Sequence, residues 1–222
     1  MKNNIFLLIA ASIFILSFSS CDDLLDVTPK DKITPETFFS TEADLQAFST
    51  NFYNSLPKDR DLYKDDADNI THSTPNSAAT DSRTVPASGG GWEWGYLRRF
   101  NTLLQYSVNC KDKTVRTRYQ ALTRFFRAYF YFELVKRYGG VPLVGDNVYV
   151  LGDDVQLPRN TFAQCIDYII GELDEIKDDL RSLPMSDATE FAHAPTKETC
   201  LAMKARVLLY AASPLFNEKP LE

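Results

Sequence analysis

The chain has 222 residues, 44% hydrophobic and 13% aromatic, and its 24 Lys and Arg stand against 30 Asp and Glu, a formal charge of −6. That much apolar material can bury a full core, and the acidic balance argues against nucleic acid, because phosphate recognition needs a basic surface. Four cysteines without Cys-x-x-Cys spacing, and two histidines in no helical ligand pattern (His72 and His193), argue equally against a zinc site.

Residues 1–20 differ from the rest. Lys2 gives a short positive start, and Ile5 to Phe18 is apolar except for Ser12 and Ser17. The run is about 14 residues long, where a spanning helix needs roughly 20. A short apolar stretch behind a basic start is the form of a secretory signal peptide. Ser19 and Ser20 then lead into Cys21, as lipoprotein processing requires, although Phe18 and Ser20 stand where Leu and Gly or Ala are usual. Cys21 is thus expected to carry the lipid (palmitate-type acyl chains) that anchors the mature chain, each buried methylene contributing about 0.8 kcal/mol. No later segment is apolar enough to cross a bilayer, so lipid is the expected membrane attachment. Cys110, Cys165 and Cys200 leave two readings open, one disulfide with an odd thiol or three buried thiols.

The pattern beyond Cys21 is helical. Thr41 is placed to cap a helix with Asp44 three residues on, and Leu45, Phe48, Phe52 and Leu56 share one face before Pro57. From Lys58 to Gly91 periodicity vanishes. This long loop carries Asp59, Asp61, Asp65, Asp66 and Asp68, on which no calcium-loop spacing can be laid. Helical pattern resumes at Trp92, with Tyr96, Phe100, Leu103 and Leu104 as the apolar face. Val115 to Tyr138 is the strongest segment, with Tyr119, Leu122, Phe125, Phe126, Tyr129, Phe130, Phe132 and Val135 among interleaved arginines, and reads as the centre of a bundle. Gly139 and Gly140 stop it, and Pro142 forces an extended exit into Val141–Val150, which carries the one strand-like signal.

Thr161 and Gln164 form a capping box for a helix whose buried side carries Phe162, Ile166, Ile169, Leu173, Ile176 and Leu180. Glu172, Asp174, Glu175, Asp178 and Asp179 read as its solvated face. A last helix runs from about Thr196 to Ala212, and its alanines at 202, 205, 211 and 212 would let a neighbour approach closely. Helix pairs of this length can stack as tetratricopeptide-like units.

No catalytic signature is present. The sequence lacks a Gly-x-Ser-x-Gly elbow, a phosphate loop and a dinucleotide fingerprint, so it reads as a binding protein without catalytic residues or cofactor. The binding candidates are Trp92 and Trp94 at the end of the long loop, with Arg83 upstream. Flat aromatic faces suit sugar rings, and guanidinium forks suit hydroxyls. Trp94 and Tyr96 have a second reading, as rings plugged into the core; Trp92 and Arg83 are the more exposed candidates.

The run Arg124-Phe125-Phe126-Arg127-Ala128-Tyr129-Phe130-Tyr131-Phe132-Glu133-Leu134-Val135, followed by Tyr138-Gly139-Gly140-Val141-Pro142-Leu143, resembles the signature of the SusD/RagB outer-membrane lipoproteins. Three more blocks agree in order. They are Cys21 to Asp26 with Pro35-Glu36-Thr37-Phe38-Phe39, Arg159-Asn160-Thr161 through Leu183-Pro184, and Ala194-Pro195-Thr196-Lys197 through Tyr210.

The resemblance implies an all-α, tetratricopeptide-like helical superhelix with long loops between helix pairs. It implies a lipid-anchored protein on the outer membrane, facing the cell exterior. Such proteins cap a SusC-like TonB-dependent transporter barrel and capture oligosaccharides, or in RagB-like members peptides; the alternative role is a helical scaffold or lid with no ligand of its own. Family members run to about twice this length or more. The domain expectation is therefore a signal peptide over 1–20 and a SusD-like N-terminal helical domain over 21–222, with the C-terminal half missing.

Overall fold

A computed structural model of the chain describes residues 34–56, 80–82, 84, 91–182 and 194–216. Cys21, Arg83, both histidines and the Asp59–Asp68 run lie outside these residues. The chain divides after Thr34, and everything below belongs to the unit Pro35–Glu222. Among the described residues the regular elements are all helical: α1 (Pro35–Phe38), α2 (Glu42–Ser49), α3 (Gly95–Tyr106), α4 (Lys113–Tyr138), α5 (Phe162–Ile176) and α6 (Lys197–Ala211), with 3₁₀ turns at Thr50–Ser55 and Ser107–Asn109. The expected extended piece at Val141–Val150 is irregular chain with a turn at Gly145 and Asp146 and joins no sheet.

The capping chemistry is local and legible. Thr41 accepts from the Asp44 amide, and the Asp44 carboxylate accepts from the Thr41 amide at 2.9 Å, which starts α2. Thr161 and Gln164 repeat the device at α5. The Asp112 carboxylate caps α4 by accepting from the Thr114 and Val115 amides. The run from Thr41 to Leu56 is not one α-helix. Ser49 and Thr50 both turn their hydroxyls back onto the Gln46 carbonyl, and the chain tightens into the 3₁₀ turn there. The helix expected from Trp92 starts three residues later, at Gly95.

Helix α4 is the axis of the fold. Pairs at Asn101–Arg127 and Ser107–Gln120 run α3 antiparallel to it on one side. Pairs at Arg124–Glu172 and Tyr131–Tyr168 run α5 antiparallel to it on another. Helix α6 returns along α5 through Lys197–Asp178 and Lys204–Asp174. The core joins Phe39, Leu45, Phe52, Phe100, Phe126, Phe132, Ile169 and Leu173, all buried. Helix α6 buries Cys200, Met203 and Val207, so the stripe that docks is not the alanine stripe; Ala202, Ala205 and Ala212 face solvent.

Gly139 and Gly140 do different jobs at the end of α4. Gly139 takes φ +68° with ψ −131°, a conformation that glycine adopts readily and other residues do not, and its amide bonds the Val135 carbonyl at 2.9 Å. At Gly140 a Cβ would sit 2.0 Å from the Asn160 carbonyl oxygen. That close crossing pins the loop between α4 and α5 at its base. The Asn160 amide donates to the Val141 carbonyl, the Leu143 amide to the Asn160 side chain, and Arg159 to the Gly140 and Tyr138 carbonyls. Residues 142 to 158 therefore form one loop that leaves and rejoins the helices at a fixed neck.

Candidate ligand-binding site

A cavity of about 550 Å³ opens between the start of α3 and this loop. Gly95, Leu97, Arg98 and Asn101 of α3 line one side; Pro142, Val144, Asn147, Tyr149, Val155 and Leu157 line the other. Trp92 and Trp94 complete it. They are the two tryptophans of the chain. The lining is mostly apolar, with few polar groups, which is the usual make-up of a small-ligand site.

The two indoles meet edge to face at 5.2 Å and 79°. Trp92 is 39% exposed. It also meets Tyr138 edge to face at 4.8 Å, and the Arg159 guanidinium lies 5.9 Å from its ring centroid. The ring is thus held by its neighbours, while part of it stays open to solvent. Trp94 is half-buried and packs towards Tyr131 at 6.5 Å. Tyr96 packs on Phe100 and Phe130, in line with the core reading for that ring. Arg83 cannot be placed with them, being outside the described residues.

Helix α3 starts without a side-chain cap and with no acidic residue in its first turn. The residues of that turn that line the cavity therefore carry the positive end of the helix dipole, and Arg98 adds an exposed guanidinium of the same sign. Asn101 also belongs to the lining, but its amide is fully engaged. Its Nδ2 donates to the Gly145 and Asn147 carbonyls at 2.9 and 2.8 Å, and its Oδ1 accepts from Arg127 at 2.9 Å.

Next to the cavity lies an ionic cluster, built on the buried pair Arg127 and Glu172, that sequence reasoning did not find. Arg127 is buried and bonds Glu172 of α5 at 2.8 Å and Asp146 of the loop at 2.5 Å. Arg124 bonds the same Glu172 at 2.8 Å and Glu175 at 2.5 Å. Burial opposes the charge on Arg127, but the acidic groups of Tyr168, Glu172 and Asp146 outweigh it and hold its pKa above the ordinary arginine value. Glu172 is therefore not part of a solvated face. The signal was in the spacing: Cys165, Ile169, Glu172 and Ile176 fall at i, i+4, i+7 and i+11, the buried stripe of α5. Tyr131, buried nearby, has its hydroxyl pushed up to about 12 by desolvation and accepts from the Val144 amide at 3.0 Å.

Among the described residues no cluster of three or more His, Cys, Asp or Glu could hold a metal ion, and no helix is long and apolar enough to cross a membrane.

Comparison with known proteins gives a consistent result. A SusD-like family, described as starch-binding and associating with the outer membrane, matches residues 23–209. A curated SusD-like protein of Formosa agariphila is 26% identical over 204 residues, covering 86% of this chain and 39% of its own length. The crystal structure of a SusD-like protein from Bacteroides fragilis superposes with a TM-score of 0.64 at 26% identity, over 83% of this chain and 38% of that one. A SusD homologue from Bacteroides thetaiotaomicron shares the fold, with a TM-score of 0.62 at 17% identity over 83% and 39% of the two chains. This chain thus spans less than half the length of these relatives. Its helices form the tetratricopeptide-like arrangement of those neighbours, and the chain belongs to the SusD-like family.

Proposed function

We propose that this chain is the N-terminal portion of a cell-surface lipoprotein that captures oligosaccharides, for import by a partner SusC-like TonB-dependent transporter. The reading is of a binder and not of an enzyme. One observation carries it: in a chain whose family is described as starch-binding, both tryptophans line one cavity. Indole faces pack against the C–H faces of sugar rings, and the first turn of α3 with Arg98 supplies polarity for hydroxyls at the edge. Anchorage through lipid on Cys21, after removal of residues 1–20, belongs to the same proposal.

Peptide capture is the second reading, favoured by Leu97, Pro142, Val144, Val155 and Leu157, which make much of the lining apolar enough for peptide side chains. Calorimetric titration with a panel of maltohexaose, other neutral and acidic hexasaccharides, and defined peptides separates the two. The proposal expects a saccharide to bind, and Trp92→Ala to weaken it by about 1–2 kcal/mol with little change in melting temperature. Binding of peptides alone moves the assignment to peptide capture. Binding of neither, with the transporter still co-purifying, reduces the chain to a scaffold or lid.

A further inference from the structure

The Arg127–Glu172 pair has no role in the functional reading so far, yet on the loop side Arg127 bonds Asn101, which lines the cavity, and Gly145 and Asp146, which lie between the lining residues Val144 and Asn147. Arg127 reaches across to Asn101 Oδ1 at 2.9 Å, to the Gly145 carbonyl at 3.4 Å and to Asp146 at 2.5 Å. Asn101 in turn donates to the Gly145 and Asn147 carbonyls. Val144, Asn147 and Asn101 themselves line the cavity. We propose that Arg127 is a positioning residue for this site: through Asn101 it clamps the turn 144–147, whose Val144 and Asn147 form part of one wall, and so sets the shape presented to the ligand.

Three observations support a clamp over a simple core salt bridge. First, an ion pair between α4 and α5 needs only Glu172, and Arg124 already bonds that carboxylate at 2.8 Å. Arg127 adds a second guanidinium, whose Nη1 is directed entirely at Asn101 and the loop. A planar fork can serve two directions at once, Glu172 through Nε and Nη2 and the loop through Nη1, and a lysine cannot. Second, Asn101 uses its whole amide, one oxygen inward and two N–H bonds outward, so its orientation is fixed by Arg127 and transmitted to two carbonyls. Third, among the described residues the turn's backbone ties to the helices are those carbonyl bonds to Asn101 and Arg127 and the Val144 amide on Tyr131; its remaining bond, from the Asn147 side chain to the Val144 carbonyl, lies within the turn, and Asp146 is exposed. The neck at Gly140 and Asn160 fixes where the loop starts, and the clamp fixes where its wall stands.

The inference rests on the cavity being the binding site, and the experiment keeps the two claims apart. Arg127→Met alone would take a positive partner from buried Glu172, so the main variant is Arg127→Met with Glu172→Met, which removes the pair together, leaves an apolar contact of similar volume, and leaves the partly exposed Arg124 its bond to Glu175. The second variant is Asn101→Leu, which leaves the Arg127–Glu172 pair in place. Hydrogen–deuterium exchange by mass spectrometry is read on peptides spanning 143–149 and, as internal controls, on α4 and α5. The clamp predicts exchange at least tenfold faster over 143–149 in both variants with the helix peptides unchanged, and about tenfold weaker binding of the best saccharide from the panel. Wild-type exchange over 143–149 in the double variant overturns the clamp whether or not a ligand is known. Faster loop exchange with unchanged affinity overturns the positioning role. If the wild type binds no saccharide or peptide, the functional reading fails, and the loop exchange still decides whether Arg127 holds the wall.

Discussion

Phe126 sits where the first helices meet α4. Its ring lies 4.8 Å from Tyr53, 6.0 Å from Phe52 and 5.9 Å from Phe125, all edge-on or tilted, and it is buried. Phe126→Ala leaves a cavity that these rings cannot close, so it should destabilise the fold by about 3–5 kcal/mol, read by thermal or urea unfolding. A variant that melts with the wild type would show that the stripe is not the core. The cysteines give a second test at this scale. Cys110, Cys165 and Cys200 are free and buried, which settles the open choice in favour of thiols. Desolvation raises the Cys165 thiol and pushes Cys200 up to about 11, so neither presents a thiolate near neutrality. Mass spectrometry after alkylation at pH 8 should find both unlabelled in the native protein and labelled after denaturation. Native labelling at rates near the denatured ones would contradict the burial. The apolar core residues were legible because their period is helical. Arg127 and Glu172 were not, because charge type outweighed position when the faces were assigned.

At the scale of elements, the helix starts that carry Thr41 with Asp44 and Thr161 with Gln164 were readable from four residues each, because a capping box is a purely local device. The cavity wall was not readable. Its turn at 145–147 is held by Asn101, over forty residues away in sequence, and no local pattern announces such a bond. The docking of α6 on α5 was also hidden, since it uses Lys197–Asp178 at 2.6 Å and Lys204–Asp174 at 2.8 Å beside the buried Cys200, Met203 and Val207. Hydrogen bonds from Lys204 and Lys197 hold the Asp174 and Asp178 carboxylates below their ordinary value of 3.8. A carboxyl whose pKa falls on folding contributes stability that is present above 3.8 and is lost as pH drops through the lowered folded value. Both pairs face solvent and are screened, so the effect is small and salt-sensitive. The wild type should therefore lose more melting temperature between pH 6 and pH 3 than a Lys197→Met, Lys204→Met variant does. Equal losses in the two proteins would show that the pairs contribute nothing.

For the whole molecule, the family, the all-helical class and the central place of Val115–Tyr138 were legible because several sequence blocks agree in order with helical periodicity. The candidate cavity was legible only in part. Trp92 and Trp94 were named from their types and neighbourhood, whereas the opposite wall depends on how the loop folds back from Gly140. Membrane attachment is tested separately from ligand capture. Expressed in a bacterial host that processes lipoproteins, the wild type should partition into the detergent phase and Cys21→Ala into the aqueous phase; aqueous partition of both would rule out the anchor.

The central claim, that the Trp92–Trp94 cavity takes the ligand, has a direct reporter, because the chain holds no tryptophan elsewhere. Intrinsic tryptophan emission followed during titration with the saccharide panel, starting from maltohexaose, reads this cavity alone. The account predicts a saturable change in emission for the saccharide that binds by calorimetry, with matching affinity, and a weakening of both signals in Trp92→Ala. Calorimetric binding with unchanged emission, or undiminished binding in Trp92→Ala, would place the ligand elsewhere and contradict it.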